Sequence, residues 1–515
     1  MRTKASFIFT AIAATVVFTG TVSSKFLENN YYVYNSHELI NSHNVVQVSQ
    51  NALPEIEVTK LDDVPRSSVG LLPPTVTGFP ASMWKESQAD DLVRLLRELG
   101  SPTSPAVQKL LFQMLLAEAE APLSLDDTEE FLSERISILI SSGAIDPAIA
   151  LLERASPLPP QLVPKLFEAS LLGSQYEPAC KQVLKLGANY KDDAGRIYCH
   201  ALEGDWLTAA MIYNTSKALD STETSTLLLL GEFLEIDEPT QNFIPIPDIN
   251  LTPLDFRLYE TLGYHIVRED LANAFIFGDL SGDNGWYAQL AAAEKLAENG
   301  VIDANRFLGI FTAHEPPSSS GIWERVIAIQ RLDKALSSST STKEVDLALR
   351  NAWQLFRTTA NSSIFAEIFT PRLLETKLTP NSEIMAIKIG MLSSNYNTII
   401  SNPLAINALE PIIFAFTNRE VQFVKPKNAL EKTLMDAFFR PRVPSYVRLQ
   451  LADGKLGEVI LNALIQLERG ISGDMQDLLE SLSTLRHVGL ERVSQRTALW
   501  LIPVSYTHLT LPTKA

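Results

Sequence analysis

The sequence predicts an all-α protein, specifically a right-handed α-solenoid of antiparallel helix–turn–helix repeats. One two-helix unit is spelled three times between residues 131 and 219: FLSERISILISSGAIDPAIALLERA, LVPKLFEASLLGSQYEPACKQVLKLG and AGRIYCHALEGDWLTAAMIYNTSKAL. In each copy an apolar helical run meets a glycine (Gly143, Gly173, Gly204). An acidic residue follows (Asp146, Glu177, Asp205), and a small residue (Ala148, Ala179, Ala209) opens a second run. The copies recur at about 30 residues, the length of one two-helix repeat. The same grammar returns with Gly300, Asp303 and Ala304, and again with Gly454 and Ala463. A repeat unit cannot bury its own apolar face, so successive units stack and share a core.

Residues 1–24 read as a secretory signal. Met1, Arg2 and Lys4 make a basic start, SFIFTAIAATVVFTG is the apolar stretch, and TVSS ends it with small residues suited to a signal peptidase near Ser23 or Ser24. Cleaved or retained as an anchor, the segment places the rest of the chain in the periplasm, secreted, or tethered to the outer face of the membrane. Residues 25–76 are rich in Asn, Ser and Pro without a helical period, and read as a disordered polar leader. Residues 77–237 form the N-terminal helical-repeat segment. There DDLVRLLRELG and PAVQKLLFQMLLAEAEA set leucine at helical spacing, Pro102 and Pro105 punctuate the joint, and the three copies follow.

The string EPTQNFIPIPDINLTP holds four prolines, more than helix interiors accept, so 238–256 reads as a joint between two segments. The middle helical segment, 257–417, carries GWYAQLAAAEKLAENG, IWERVIAIQRLDKAL and EVDLALRNAWQLFRTTA. The C-terminal helical segment, 418–502, carries LADGKLGEVILNALIQLERG and DMQDLLESLSTLRHVGL. Residues 503–515 interrupt the helix TALWLI with a Thr- and Pro-rich string unlike the rest. They read as a non-native tail, a translated adapter scar, with native helix ending at Ile502.

Across 515 residues, 43 Lys and Arg stand against 60 Asp and Glu, a formal net charge of −17. Such a surface disfavours nucleic acid and anionic lipid as partners. Beyond the N-terminus no stretch is long and apolar enough to cross a bilayer, so no integral span is expected after signal cleavage. Oligomeric state leaves no mark in the sequence. Asn418 to Arg448 is locally basic, with Arg419, Lys425, Lys427, Lys432, Arg440, Arg442 and Arg448 spread along it, and reads as a solvated face.

Catalytic signatures are missing. The seven histidines are scattered without an HExxH pair, and no G-x-S-x-G, phosphate-binding or dinucleotide fingerprint occurs. No catalytic residue, cofactor or metal ligand is therefore assigned, and the chain leans away from enzymatic activity. Asp279, Ser281 and Asp283 alternate as in a calcium loop, but the bidentate Glu such a loop needs is absent at its offset, and a plain turn is expected. Asp205 is expected to cap a helix and Trp206 to fill the groove between helices. Trp286, Trp323 and Trp353 would serve a glycan groove if they shared one concave face.

Two cysteines occur. Cys180 falls in the second helix of one copy and Cys199 in the first helix of the next, nearly equidistant from the turn at Asn189 and Tyr190. In an antiparallel hairpin, residues equally far from the turn sit at one height, within reach of a disulfide in an oxidising compartment. The alternative is a pair of buried reduced thiols behaving as small hydrophobes.

At GAIDPAIALLERA, EGDWLTAAMIY and DGKLGEVILNALIQLERG the chain resembles tetratricopeptide-like and Sel1-like α-helical repeats, which use small residues where two helices pack tightly. With its signal, its Pro-rich leader and FRLYETLGY and GWYAQLAAAEKLAENG, the whole chain resembles a group of exported bacterial proteins of alphaproteobacterial type. The resemblance implies a concave surface for a protein or peptide partner, hence a non-catalytic scaffold in the cell envelope. The alternative is the superhelical, non-catalytic arm of a cell-wall enzyme of lytic-transglycosylase kind, with its catalytic domain beyond Ile502.

Overall fold

The structure, a computed structural model, describes residues 65–124, 129–236, 251–264, 266, 271–338, 341–417 and 424–508. The expected signal, most of the leader, most of the 238–256 joint and residues 509–515 lie outside these. Among the described residues the regular elements are helices, with two isolated parallel bridges, Leu72 to Ala117 and Gln88 to Leu123, and no strand. The protein is all-α.

Helices α1 (Pro74–Thr77), α2 (Ala89–Leu99) and α3 (Pro105–Leu116) precede the three copies. The copies form α4 (Glu130–Ser141) with α5 (Ile145–Arg154), α6 (Val163–Leu172) with α7 (Glu177–Leu186), and α8 (Asp193–Leu202) with α9 (Trp206–Leu219). Next come α10 (Thr224–Phe233), α11 (Pro253–Thr261), α12 (Asn273–Ile276), α13 (Trp286–Glu298) and α14 (Ala304–Thr312). These are followed by α15 (Ile322–Ser337), α16 (Thr342–Phe356), α17 (Ser362–Glu375) and α18 (Pro380–Gly390). Three short helices, α19 (Tyr396–Ile400), α20 (Ala405–Ala408) and α21 (Pro411–Thr417), lead to α22 (Ala429–Phe439) and α23 (Ser445–Ala452). The last are α24 (Leu456–Ile471), α25 (Met475–His487) and α26 (Glu491–His508).

Each copy turns by the same backbone device. Gly143 N–H donates to Ile140 O and Ala144 N–H to Leu139 O; Gly204 N–H donates to Ala201 O and Asp205 N–H to His200 O. These paired bonds satisfy the last carbonyls of a helix and need a left-handed residue at the pivot, where glycine carries no Cβ penalty. Gly143 and Gly204 have φ of 85° and 81°. In the second copy the pivot is Ser174, at φ 58°, and Gly173 is an ordinary helix-end residue. The small residues of the grammar have a packing reason: Ala148, Ala179 and Ala209 are fully buried, so the paired helices meet where side chains are shortest.

Beside a smaller apolar cluster around Tyr396 and Ile399, the larger core of the described residues runs from Leu72 to Ile502. Its ends meet. Helix α2 packs on α24 and α3 packs on α26, while Thr103 donates its N–H and its hydroxyl to the Glu468 carboxylate.

Three boundaries differ from the sequence reading. The leader's last residues are packed: Leu71 and Leu72 N–H donate to Leu116 O at 2.8 and 2.9 Å, and Leu72 is buried. A segment held by backbone pairing has no helical period to reveal it. The joint's end is helical, because Pro253 stands in the first turn of α11, where its missing N–H costs nothing and Thr252 caps. Finally, α26 passes Ile502 and Pro503 and runs to His508.

Candidate functional site

The three repeated units of residues 131–219 carry the densest cluster of residues singled out in the sequence. Cys180 of α7 and Cys199 of α8 are both buried and joined as a disulfide, with Cα atoms 5.1 Å apart. Beside them an aromatic ladder climbs from core to surface. Phe167 meets Tyr190 and Tyr198 edge-on, Tyr198 stacks on Phe233 at 5.6 Å, and Phe233 lies 6.2 Å from Trp206.

Asp205 caps α9 by accepting the Thr208 N–H at 3.2 Å, and its other oxygen lies 3.2 Å from His200 Nδ1. Bonding to Thr208, with the His200 charge adding less, holds its carboxyl below the usual value. Trp206 packs one part of its ring on Phe233 and leaves 51% of its surface open.

Helix α9 presents an unusual outer face. Ala209, Tyr213 and Ser216 point into the core. On the opposite side, one turn apart, Leu207 is 75% exposed and Met211 62%. Trp206, Leu219, Leu202 on α8 and Leu228 on α10 are exposed as well. Single exposed apolar residues are ordinary, whereas a row of large ones on one helix marks a surface suited to a partner. The sequence held the signal in WLTAAMIY: a short helix apolar all round either is buried or is covered by something outside the chain.

No family model, curated protein or solved structure matches the chain. The chemistry of its own surfaces therefore carries the functional reading.

The remaining marked residues fall elsewhere. Asp279 is buried and accepts from Asn284 at 2.7 Å, while Ser281 donates to Gly278 O and to Asp283, which makes this loop a hydrogen-bonded turn. No group of three or more metal-ligating side chains occurs among the described residues. In the basic segment Arg419 lies outside the described residues. Lys425, Lys427, Lys432, Arg440, Arg442 and Arg448 are exposed, and Lys427 pairs with Glu410. Trp286 and Trp323 come together at 5.1 Å with the exposed Tyr287 and His314 beside them, but Trp353 packs separately against Phe365. No described helix is long and apolar enough to cross a membrane.

Proposed function

We propose that the protein is an exported, non-catalytic helical-repeat scaffold of the cell envelope that binds a protein or peptide partner on the outer face of α9. The observation that carries this reading is the exposed Leu207 and Met211 on a helix whose opposite face is buried. Sequence-adjacent hairpins that pack on one another, such as α4 with α5 and α8 with α9, support an array of tetratricopeptide-like or Sel1-like kind. In such an array the disulfide between α7 and α8 keeps the repeat next to α9 rigid, so the apolar face is presented pre-formed, which lowers the entropy cost of binding. An apolar partner helix suits this face, with anchors at helical spacing entering between Leu207 and Met211.

Pull-down from envelope extracts with the full chain tests the reading. The Leu207→Glu/Met211→Glu pair should change the unfolding free energy by no more than about 0.5 kcal/mol per substitution, as exposed substitutions do, and should abolish recovery of the partner. Recovery unchanged by the pair would overturn it.

A second reading is favoured by a different observation, the contact group of Trp286, Trp323, Tyr287 and His314. These rings meet tilted and edge-on, and the open ones offer faces to sugar rings, as the arm of a cell-wall enzyme would need. Quenching of tryptophan fluorescence by cell-wall glycan fragments, lost in Tyr287→Ala, would support it; an unquenched spectrum would end it.

A further inference from the structure

A cavity of about 70 Å³ lies where three distant parts of the chain meet: α3, the turn entering α19, and α26. Its polar lining includes Lys109 and Gln113 of α3, Ser394 just before α19 and Asn397 within it, and Arg492 and Arg496 of α26. Three of these are cations, and no carboxylate among the described residues lines the cavity. In a chain of net charge −17 this reverses the average surface.

Glu367 of α17 stands close by. It accepts the Ser394 N–H at 3.0 Å, the Ser394 hydroxyl at 2.6 Å and Arg496 at 3.1 Å, which orients the guanidinium at the wall. Burial lowers the Lys109 ammonium from its ordinary value, the Arg496 charge pushes the same way, and Glu367 opposes both. An ammonium disfavoured in this way gains from an anion set against it.

We propose that this cavity binds a small oxyanion of phosphate size, held by Lys109, Arg492 and Arg496 with the Gln113 and Asn397 amides as further donors. Guanidinium forks suit the paired oxygens of such an ion. The volume sets the class: about 70 Å³ is far below the roughly 300 Å³ where pockets for drug-sized ligands begin. The ligand is thus a free inorganic oxyanion, or the terminal oxyanion of a larger molecule reaching past the exposed Asn397 and Arg492. Because the ion touches both α3 and α26, its binding ties the beginning of the described chain to its end. By mass action it raises the stability of the closed arrangement.

Calorimetric titration and thermal melts of the full chain with inorganic phosphate, sulfate and glucose 6-phosphate, at ionic strength held constant with chloride, test the proposal. Phosphate is expected to bind saturably at one site and raise the melting midpoint. Tighter binding of glucose 6-phosphate than of phosphate assigns the oxyanion to a larger ligand, and the reverse order assigns it to the free ion; both support the site. Arg492→Gln, with its fold checked by circular dichroism, should weaken phosphate at least tenfold, while Lys432→Gln, outside the cavity, should not. Absence of saturable binding, or binding unaltered in Arg492→Gln, would overturn the proposal.

Discussion

Gly457 of α24 lies against the indole of Trp84, so close that a Cβ there would sit 2.2 Å from a ring carbon and 3.0 Å from the Met83 carbonyl oxygen. Trp84 is buried and also meets Phe131 of α4 edge-on at 5.3 Å. One ring thus fastens the N-terminal segment to a helix near the other end of the chain.

Gly457→Ala should therefore destabilise, although alanine favours a helix over glycine. Overpacking against a buried ring costs about 1–3 kcal/mol and outweighs the propensity gain of up to about 1 kcal/mol. A lowered urea midpoint, with faster amide exchange in residues 66–124, is the expected result.

The Cys180 to Cys199 bond closes a loop of sequence separation 19. A loop of that size restricts the unfolded chain by about 3 kcal/mol on the chain-entropy account. The Cys180→Ser/Cys199→Ser pair should lose stability of that order, read as a shift in urea midpoint. Non-reduced intact mass should lie two hydrogen atoms below the reduced mass.

Arg135 of α4 is buried and donates to three carbonyls, Leu115 O at 2.8 Å, Ala117 O at 3.2 Å and Ser67 O at 3.2 Å. Burial pushes its guanidinium down to about 10, which leaves it charged at neutral pH. Arg135→Met strands these acceptors at 1–3 kcal/mol each, partly offset by no longer burying a charge, for a net loss of about 3 kcal/mol. Arg135→Lys keeps the charge without the fork and should recover only part of the loss in equilibrium unfolding.

Asp205 gives a pH signature. Its carboxyl is held below its ordinary value in the folded state, first by bonding to Thr208. The unfolded chain thus binds the proton more readily, and the stabilisation is present above the ordinary carboxylate value and is lost as pH falls through the folded one. Asp205→Ala should lower the melting midpoint at pH 7, and the gap to the parent should close toward about pH 3. A gap constant across that range would show that the cap's charge contributes nothing.

The helices and their turns were legible because both are local. Apolar spacing marks the buried stripe of α4, α8 or α24, and a left-handed pivot selects glycine at Gly143 and Gly204. In the second copy the glycine is not the pivot. There Ser174 takes the left-handed conformation one residue after Gly173, because the helix-end bonds Ser174 N–H to Leu171 O and Gln175 N–H to Ser170 O hold it in place. The exposed row on α9 was half legible: its apolar letters were plain, but periodicity does not tell which of two apolar sides the neighbouring helices leave open.

Composition and period alone settle that the described residues are helical, where the hairpins of the repeated units bend, and which alanines lie between their paired helices, since each depends on residues within a few turns of one another. That the first helices rest on the last, that Lys109, Arg492 and Arg496 gather at one cavity, and that Trp84 finds Gly457, depends on shape and charge matched across hundreds of residues. Thr103 and Glu468, bonded at a separation of 365, have no spacing rule to connect them. Such contacts exist only after the chain has folded, because a single complementary pair leaves no repeating pattern along the sequence.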